Sequence, residues 1–291
     1  MENEDDLNVI KQQWIREQCE LKKNLIEEDT YNWFQKDPNG EEEILLNYVG
    51  GVDISFVKGD EKHACAALVI LSYPKLEIVY EEYDFVHLTS PYIPQFLAFR
   101  EASFLNDLIT KLKKNKPELL PEVIFVDGNG ILHPRGFGVA SHLGVISNTC
   151  TIGVGKTLFH VDGIEKNRKH LEKINQLQRA GDSFKLVGNS GKTFGAAFKS
   201  TDASRNPIYI SIGHKISLGS ALRICGLCCK HRVPEPIRQA DIRSREFLRQ
   251  NYETMVTKCC ANEEQLGSHG AKNDATDCDS EGGWWSWCQI L

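Results

Sequence analysis

The chain has 291 residues, of which 41% are hydrophobic, 25% charged and 9% aromatic, which excludes a wholly disordered chain, a collagen-like repeat and a coiled-coil rod. No apolar run approaches the roughly 20 residues of a membrane-spanning helix, and the acidic start MENEDD is unlike a signal peptide. We therefore expect a cytoplasmic or nuclear protein with no membrane partner. The net charge of −6 excludes a dedicated nucleic-acid packaging protein, but residues 31–250 carry 28 basic and 24 acidic side chains, which permits a nucleic-acid partner.

The first half of the chain predicts a helix, an antiparallel meander and a second helix. Apolar residues at helical spacing predict an amphipathic helix over 5–28, packed on the outside of the domain. Three strand-like runs separated by short turns follow at 48–57, 63–72 and 76–86, which indicates antiparallel strands. The helical spacing returns over 95–114 and ends before a proline.

From residue 121 the pattern changes to strand, helix, strand, an order typical of parallel strands with crossover helices. The predicted elements are a strand at 121–127, a helix at 136–147, a strand at 150–156, a lysine-rich helical insertion within 163–181, further strands within 185–212, and closing helices at 216–229 and 235–250. Together they predict an α/β fold with one mixed central sheet flanked by helices.

We divide the chain into an N-terminal helix (1–30), a catalytic domain (31–250) and an acidic tail (251–291). The tail lacks periodicity and is predicted to be disordered, including the WWSW cluster near its end, for which a short interaction motif is the alternative.

The cysteines predict free thiols rather than disulfides or a metal site. Ten cysteines occur without even spacing, as expected for a protein of a reducing compartment. Cys225, Cys228 and Cys229 include a C-x-x-C, but they lie in an apolar helical stretch without a second ligand pair at a zinc-site distance. We expect them to pack in the core.

Four acidic residues fall at positions where a buried apolar side chain is expected. Asp53 lies in the middle of a strand, and Glu101 lies on the apolar stripe of its helix. Asp127 ends a buried strand, where open α/β sheets place their ligands, and Asp241 lies four residues after Ile237 in the last helix.

Each acid alone could be paired with a nearby arginine, since buried charges are tolerated when paired. The candidate partners are Arg100, Arg135, Arg238 and Arg243. Four acids on four elements are harder to satisfy in this way, because like charges repel and a divalent cation is the usual remedy. Ligands that are all oxygen favour Mg²⁺, with Mn²⁺ as a substitute, over zinc.

Five motifs resemble those of the endonuclease V family. VGGVDISF, PYIPQFLAFRE, VDGNGILHPRGFGVASHLG, TIGVGK and VPEPIRQAD occur in this order within about residues 45–250. The resemblance implies a ribonuclease-H-like fold and a Mg²⁺-dependent cut at the second phosphodiester bond 3′ to an inosine, leaving 3′-hydroxyl and 5′-phosphate ends. The insertion at 163–181 and the ending RQADIRSRE resemble the animal branch. Members of that branch favour inosine in single-stranded RNA over deoxyinosine in DNA, which implies RNA as the preferred substrate and DNA as a further one. We expect the protein to be a monomer.

The resemblance also implies roles for individual residues. Asp53, Glu101, Asp127 and Asp241 match the metal-binding positions, and all four are catalytic together with Lys156, which would contact phosphate or orient the attacking water. A solvated lysine at a strand end is the alternative interpretation of Lys156.

The implied substrate-binding residues would surround a flipped hypoxanthine base, because glycines let the backbone approach a base closely. They are Tyr92, Gln95, Gly128, Arg135, Gly138 and His142. Tyr92 would wedge into the gap left by the base, with an ordinary packed loop tyrosine as the alternative. Gln95 departs from the family, which commonly has glycine directly after PYIP, lining the base pocket.

Two other functions remain open from the sequence. A nuclease of the same fold could select nucleic-acid structure instead of a base, although the glycine-rich motif and PYIP argue against it. A catalytically silent protein could bind inosine-containing RNA, although the presence of all four acids argues for catalysis.

Overall fold

The structure, a computed structural model, describes residues 4–36, 39–60 and 62–269. Its strands are β1 (Phe34–Lys36), β2 (Glu42–Ile44), β3 (Tyr48–Phe56), β4 (His63–Ser72), β5 (Ile78–His87), β6 (Val123–Asp127), β7 (Thr151–Gly155), β8 (Ser183–Val187), β9 (Thr193–Phe198) and β10 (Ile208–His214). Its α-helices are α1 (Glu4–Lys22), α2 (Leu97–Asn115), α3 (Val139–Ser147), α4 (Arg168–Gln176), α5 (Leu218–Leu227) and α6 (Glu235–His269).

Eight strands form one mixed sheet in the order β5-β4-β3-β6-β7-β10-β9-β8. Strands β3, β4 and β5 are antiparallel, and β3, β6 and β7 are parallel. Strand β10 runs antiparallel to β7 and starts the second antiparallel part of the sheet. The predicted mixed central sheet flanked by helices is confirmed.

A layer of helices covers each face of the sheet, so the central strands are buried on both sides. Ile124 packs in a cluster with residues of α2 and α3, whereas the next residue, Phe125, packs in a cluster with residues of α5 and α6. This alternation is the period-two geometry of a strand. Cys225 and Cys228 lie in the second cluster as buried free thiols, as predicted for core packing.

Helix α1 ends at Lys22, six residues before the end predicted from its apolar spacing. The chain then turns, and the backbone of Ile26 bonds instead to His214 Nδ1 and the Lys215 amide at the end of β10. Tertiary hydrogen bonds therefore override the helical pattern that continues to Leu25, whose side chain packs against the core.

Helix α6 continues to His269, whereas the sequence predicted a disordered tail from residue 251. The sequence NYETMVTKCCANEEQL, residues 251–266, contains no glycine or proline to end a helix. The predicted disorder of the tail beyond His269, including the WWSW cluster, concerns residues outside those that the structure describes. The compact unit that contains the sheet is Met1–Asn251, and it includes every predicted site residue. None of the described helices is long and apolar enough to cross a membrane.

Gly51 allows the start of α6 to pack directly on β3. A Cβ atom at this position would lie 2.1 Å from the carbonyl oxygen of Pro236. The missing side chain therefore sets the distance between the strand that carries Asp53 and the helix that carries Asp241.

Gly51→Ala is expected to destabilise the protein by roughly 1–3 kcal/mol, because an added methyl group forces backbone apart in a packed core. Urea unfolding measures this change. Gly219→Ala in α5 is the matched control, since the nearest atom to its added Cβ is Ser217 Oγ at 3.9 Å. Equal unfolding midpoints for Gly51→Ala and the wild type would show that this close approach does not matter.

Candidate active site

The strand register brings Asp53, Asp127 and Lys156 to one region of the sheet. Val52 of β3 is paired with Val126 of β6, so the following residues, Asp53 and Asp127, occupy neighbouring positions on parallel strands. Adjacent strands lie about 4.8 Å apart. Asp127 is in turn paired with Val154 of β7, and Lys156 follows two residues later. All three side chains point to the face that α6 covers, by the alternation of each strand.

Lys156 forms an ion pair with Asp127. Its Nζ atom donates to Asp127 Oδ2 at 2.5 Å. Burial lowers the pKa of Lys156, but the carboxylates of Asp127, Asp53 and Asp241 outweigh that effect and raise it. The lysine is therefore a charged ammonium group within the acidic cluster.

Asp241 reaches the cluster from α6, where it accepts a hydrogen bond from Arg245 Nε at 2.7 Å. Ser244, on the same turn, donates to the Asp241 carbonyl at 3.0 Å. Its hydroxyl oxygen lies 2.7 Å from that of Ser55 and 3.4 Å from Asp53 Oδ2. Ser55 donates to Asp53 Oδ2 at 3.0 Å. Helix α6 thus contributes an acid to the cluster and a hydroxyl group beside the strand carboxylate.

The pKa of Asp53 is raised to about 6 by burial, by the charge of Asp127 and by that of Asp241, against the Ser55 hydrogen bond and Lys156. The pKa of Glu101, on α2, is raised to about 8 by burial and by the charges of Asp53 and Asp127, against Arg100. The four predicted acids therefore form one electrostatically coupled cluster. When all four acids are ionised, their charge exceeds that of the three nearby cations, Arg100, Lys156 and Arg245.

This donor set fits a hard divalent cation, because it consists of carboxylate oxygens with unneutralised charge. In the described part of the chain, no three His, Cys, Asp or Glu side chains are already arranged as ligands of one metal ion. Asp127 and Asp241 instead contact Lys156 and Arg245. Metal binding would replace these two ion pairs.

The sequence missed several residues that organise this cluster. Three arginines named as partners of the acids contact other residues: Arg135 contacts Gln95, Arg238 contacts Glu235, and Arg243 contacts Glu81. The partner of Asp241 is Arg245, and its four-residue spacing on a helix was the available signal. Arg232 donates to the carbonyl oxygen of Lys156 at 2.6 Å, and no local pattern indicates that contact.

Residues 128–138, which we call the pocket loop, follow β6 and lead into α3. A Cβ atom on Gly128 would lie 2.3 Å from Val139 Cγ1, and one on Gly138 would lie 2.3 Å from the Asn129 carbonyl oxygen. Their N–H groups donate to Val154 and Gly130 within the protein. The two glycines therefore allow tight loop packing, and a hydrogen bond from either amide to a base stays a prediction.

Gln95 and Arg135 connect the PYIP segment to the pocket loop. The guanidinium group of Arg135 donates to the Gln95 carbonyl at 2.7 Å and to its side-chain Oε1 at 3.2 Å. Gln95 has a φ of +73°, in the region that favours glycine. Glycine adopts this conformation without strain, which explains why glycine suits the position in the family. The two hydrogen bonds show that Arg135 is engaged by protein groups.

Tyr92 and His142 have opposite environments. Tyr92 is 65% exposed, as a side chain that wedges into nucleic acid must be. His142 is buried against the rings of Phe99 and Phe137, and burial lowers its pKa to about 4. The structure therefore gives His142 a packing role, and its contact with substrate stays a prediction.

The comparison with protein families identifies the family to which the chain belongs. The family model of Endonuclease V matches residues 31–242, which include all four acids and Lys156. The chain belongs to the Endonuclease V family. It is therefore an endonuclease, and the carboxylate cluster lies where that family's motifs converge.

Relatives of this chain support the family assignment along most of its length. Human Endonuclease V is 53% identical over 240 residues, which cover 82% of this chain and 83% of the human protein. The crystal structure of human ENDOV has a TM-score of 0.77 and 52% identity, covering 83% of this chain and 99% of that one. Endonuclease V of Ciona intestinalis, crystallised with a 24mer DNA containing an inosine followed by a ribo-adenosine, has a TM-score of 0.74 and 35% identity, covering 84% of this chain and 99% of that one.

The raised pKa of Glu101 predicts that folding stability in metal-free buffer falls as pH rises. Between its ordinary pKa of 4.5 and about 8, the folded protein binds a proton that the unfolded chain has released. Glu101→Gln removes this ionisation, so its stability advantage over the wild type should grow by more than about 1.4 kcal/mol between about pH 5 and about pH 8.

Urea unfolding in EDTA at several pH values measures the difference. Glu118→Gln, at an exposed position before β6, is the matched control and should show no such growth. A Glu101→Gln advantage that is the same at every pH would contradict the electrostatic account of this site.

Proposed function

We propose that this member of the Endonuclease V family is a Mg²⁺-dependent enzyme that cleaves the second phosphodiester bond 3′ to inosine in single-stranded RNA, and also in DNA containing deoxyinosine. The products are 3′-hydroxyl and 5′-phosphate ends. The observation that carries the proposal is the coupled cluster of Asp53, Glu101, Asp127 and Asp241, with Lys156 beside it.

Asp53, Glu101, Asp127 and Asp241 would hold Mg²⁺, or Mn²⁺ in its place. Bound there, the cation supplies positive charge that neutralises the carboxylates and stabilises the charge that develops on the phosphate. Glu101 must lose its proton to act as a ligand, because its pKa is raised to about 8.

Lys156 would contact the phosphate next to the cleaved bond. Its raised pKa keeps the ammonium group charged, and its partner Asp127 would be released to the cation. The hydrogen bond from Arg232 to the Lys156 carbonyl holds the backbone from which this side chain extends. The lysine can therefore exchange a carboxylate oxygen for a phosphate oxygen without backbone movement.

Inosine is proposed as the recognised base because the related Ciona enzyme was crystallised with inosine-containing DNA. The pocket loop would surround the flipped base, and exposed Tyr92 would fill the gap that the base leaves. The preference for RNA rests on the resemblance of the insertion at 163–181 and the RQADIRSRE ending to the animal branch. The active form is proposed to be a monomer.

Asp53→Asn and Asp127→Asn are each expected to lower the cleavage rate by at least about 100-fold, since they remove charge that holds the cation. Circular dichroism and urea unfolding should show an intact fold. Asp107→Asn, at an exposed position of α2, is the matched control and should cleave like the wild type. Near-normal activity of either site variant would overturn the assignment of these carboxylates.

The substrate is tested with purified protein and single-stranded RNA and DNA oligonucleotides that carry inosine or adenosine at one position, in Mg²⁺ or EDTA. We expect a Mg²⁺-dependent cut one nucleotide beyond inosine, and faster cutting of RNA than of DNA. Cutting that ignores inosine would support a structure-selective nuclease. Inosine-dependent binding without any cut would support a catalytically silent binding protein.

A further inference from the structure

Helix α1 lies before residues 31–242, which match the family model, yet it contacts the pocket loop directly. Gln18 of α1 is only 1% exposed. Its Nε2 atom donates to the Phe137 carbonyl at 2.5 Å, and its Oε1 atom accepts a hydrogen bond from Arg135 Nε. Both polar atoms of the buried Gln18 side-chain amide therefore form hydrogen bonds with the pocket loop.

Lys22, one helical turn further along α1, holds the neighbouring peptide. Its Nζ atom donates to the Arg135 carbonyl at 2.6 Å. Gly136 has a φ of +63°, and a Cβ atom there would lie 2.9 Å from Lys22 Nζ. The glycine thus provides both the turn and the space that the lysine head occupies.

Aromatic contacts hold α1 against the start of the helix that carries Glu101. Trp14 stacks on Phe99 with ring centroids 4.9 Å apart and an interplanar angle of 6°. The same indole contacts Phe96, over whose ring the Arg135 guanidinium lies at 4.0 Å. These contacts fix where Gln18 and Lys22 present their polar atoms.

The contacts of Arg135 extend this arrangement to the PYIP segment. Its guanidinium group bonds Gln18 on one side and the Gln95 carbonyl on the other. Carbonyl groups of an irregular loop have no strand partner, so their position depends on such side-chain donors. Helix α1 therefore constrains the loop on one side of the proposed base pocket and, through Arg135, the segment that carries Tyr92.

We propose that Gln18 and Lys22 are positioning residues for base recognition, which act through the Arg135–Phe137 backbone without touching the substrate. The proposal rests on the proposed function, in which the pocket loop receives inosine. The proposal gives α1 a role in substrate selection. Removing its contacts with the pocket loop should therefore change KM and the preference for inosine more than kcat.

The test compares two pairs of variants at positions on α1 or directly after its end. Gln18→Leu and Lys22→Met remove the donors to the pocket loop while keeping side-chain bulk. Gln13→Leu and Lys23→Met are their matched controls, because these exposed side chains contact only Glu17 and Glu20 of α1 in the bonds described. Lys22→Arg restores a charged donor and should recover most of the loss.

KM and kcat are measured on single-stranded oligonucleotides with inosine or adenosine. Gln18→Leu and Lys22→Met are expected to raise KM and to lower the ratio of inosine to adenosine cleavage by about tenfold or more, because small displacements of a binding group are costly. Both control variants should match the wild type. An equal fall in kcat on both substrates, with KM and the ratio unchanged, would overturn the proposal.

Hydrogen exchange of the Gly136 and Gly138 amides, which donate to His133 and Gly130, separates this proposal from the proposed function. Exchange should be about tenfold faster in Lys22→Met than in Lys23→Met, whether or not the protein cuts inosine. Equal exchange in the two variants would contradict the positioning role. If the wild type cuts without regard to inosine but exchange still differs between the two variants, the proposed function is refuted. The positioning of the pocket loop by Lys22 would then still stand.

Discussion

Burial of four mutually repelling carboxylates is the constraint on which the site depends. Asp53 and Glu101 have raised pKa values because they are buried and lie beside other acids. The charges of Arg100, Lys156 and Arg245 do not neutralise four ionised carboxylates. A flexible chain would relieve that repulsion by separating the acids. Here they are attached to β3, α2, β6 and α6, four elements of one packed domain, so hydrophobic burial holds together groups that electrostatics would separate.

The packing that opposes this repulsion requires close backbone contacts. Gly51 lets α6 approach β3, and glycines of the pocket loop let it pack against α3 and its own backbone. Lys156 and Arg245 reduce the charge without removing it. The same logic extends to α1, where polar side chains supply donors that the irregular pocket loop cannot obtain from the sheet.

Much of the fold and the acid cluster could be predicted from the sequence, because both leave periodic signals. The meander strands appear as alternating runs, and Asp53 and Glu101 stand out as charges on apolar faces. Contacts set by tertiary geometry left no such signal. The sequence could not show that the backbone of Ile26, just after α1, bonds to His214 at the end of β10. Nor could it show that Gln95 adopts a positive φ or that the Gln18 side chain bonds to the Phe137 carbonyl.

Proton release on Mg²⁺ binding tests the central claim most directly. Calorimetric titrations at about pH 7, in buffers of different protonation enthalpy, count the protons released, with Glu101→Gln as the comparison. A Glu101 pKa of about 8 predicts that Mg²⁺ displaces roughly one proton from the wild type and far less from the variant. Mg²⁺ binding without proton release, or no binding at this site, would contradict the account.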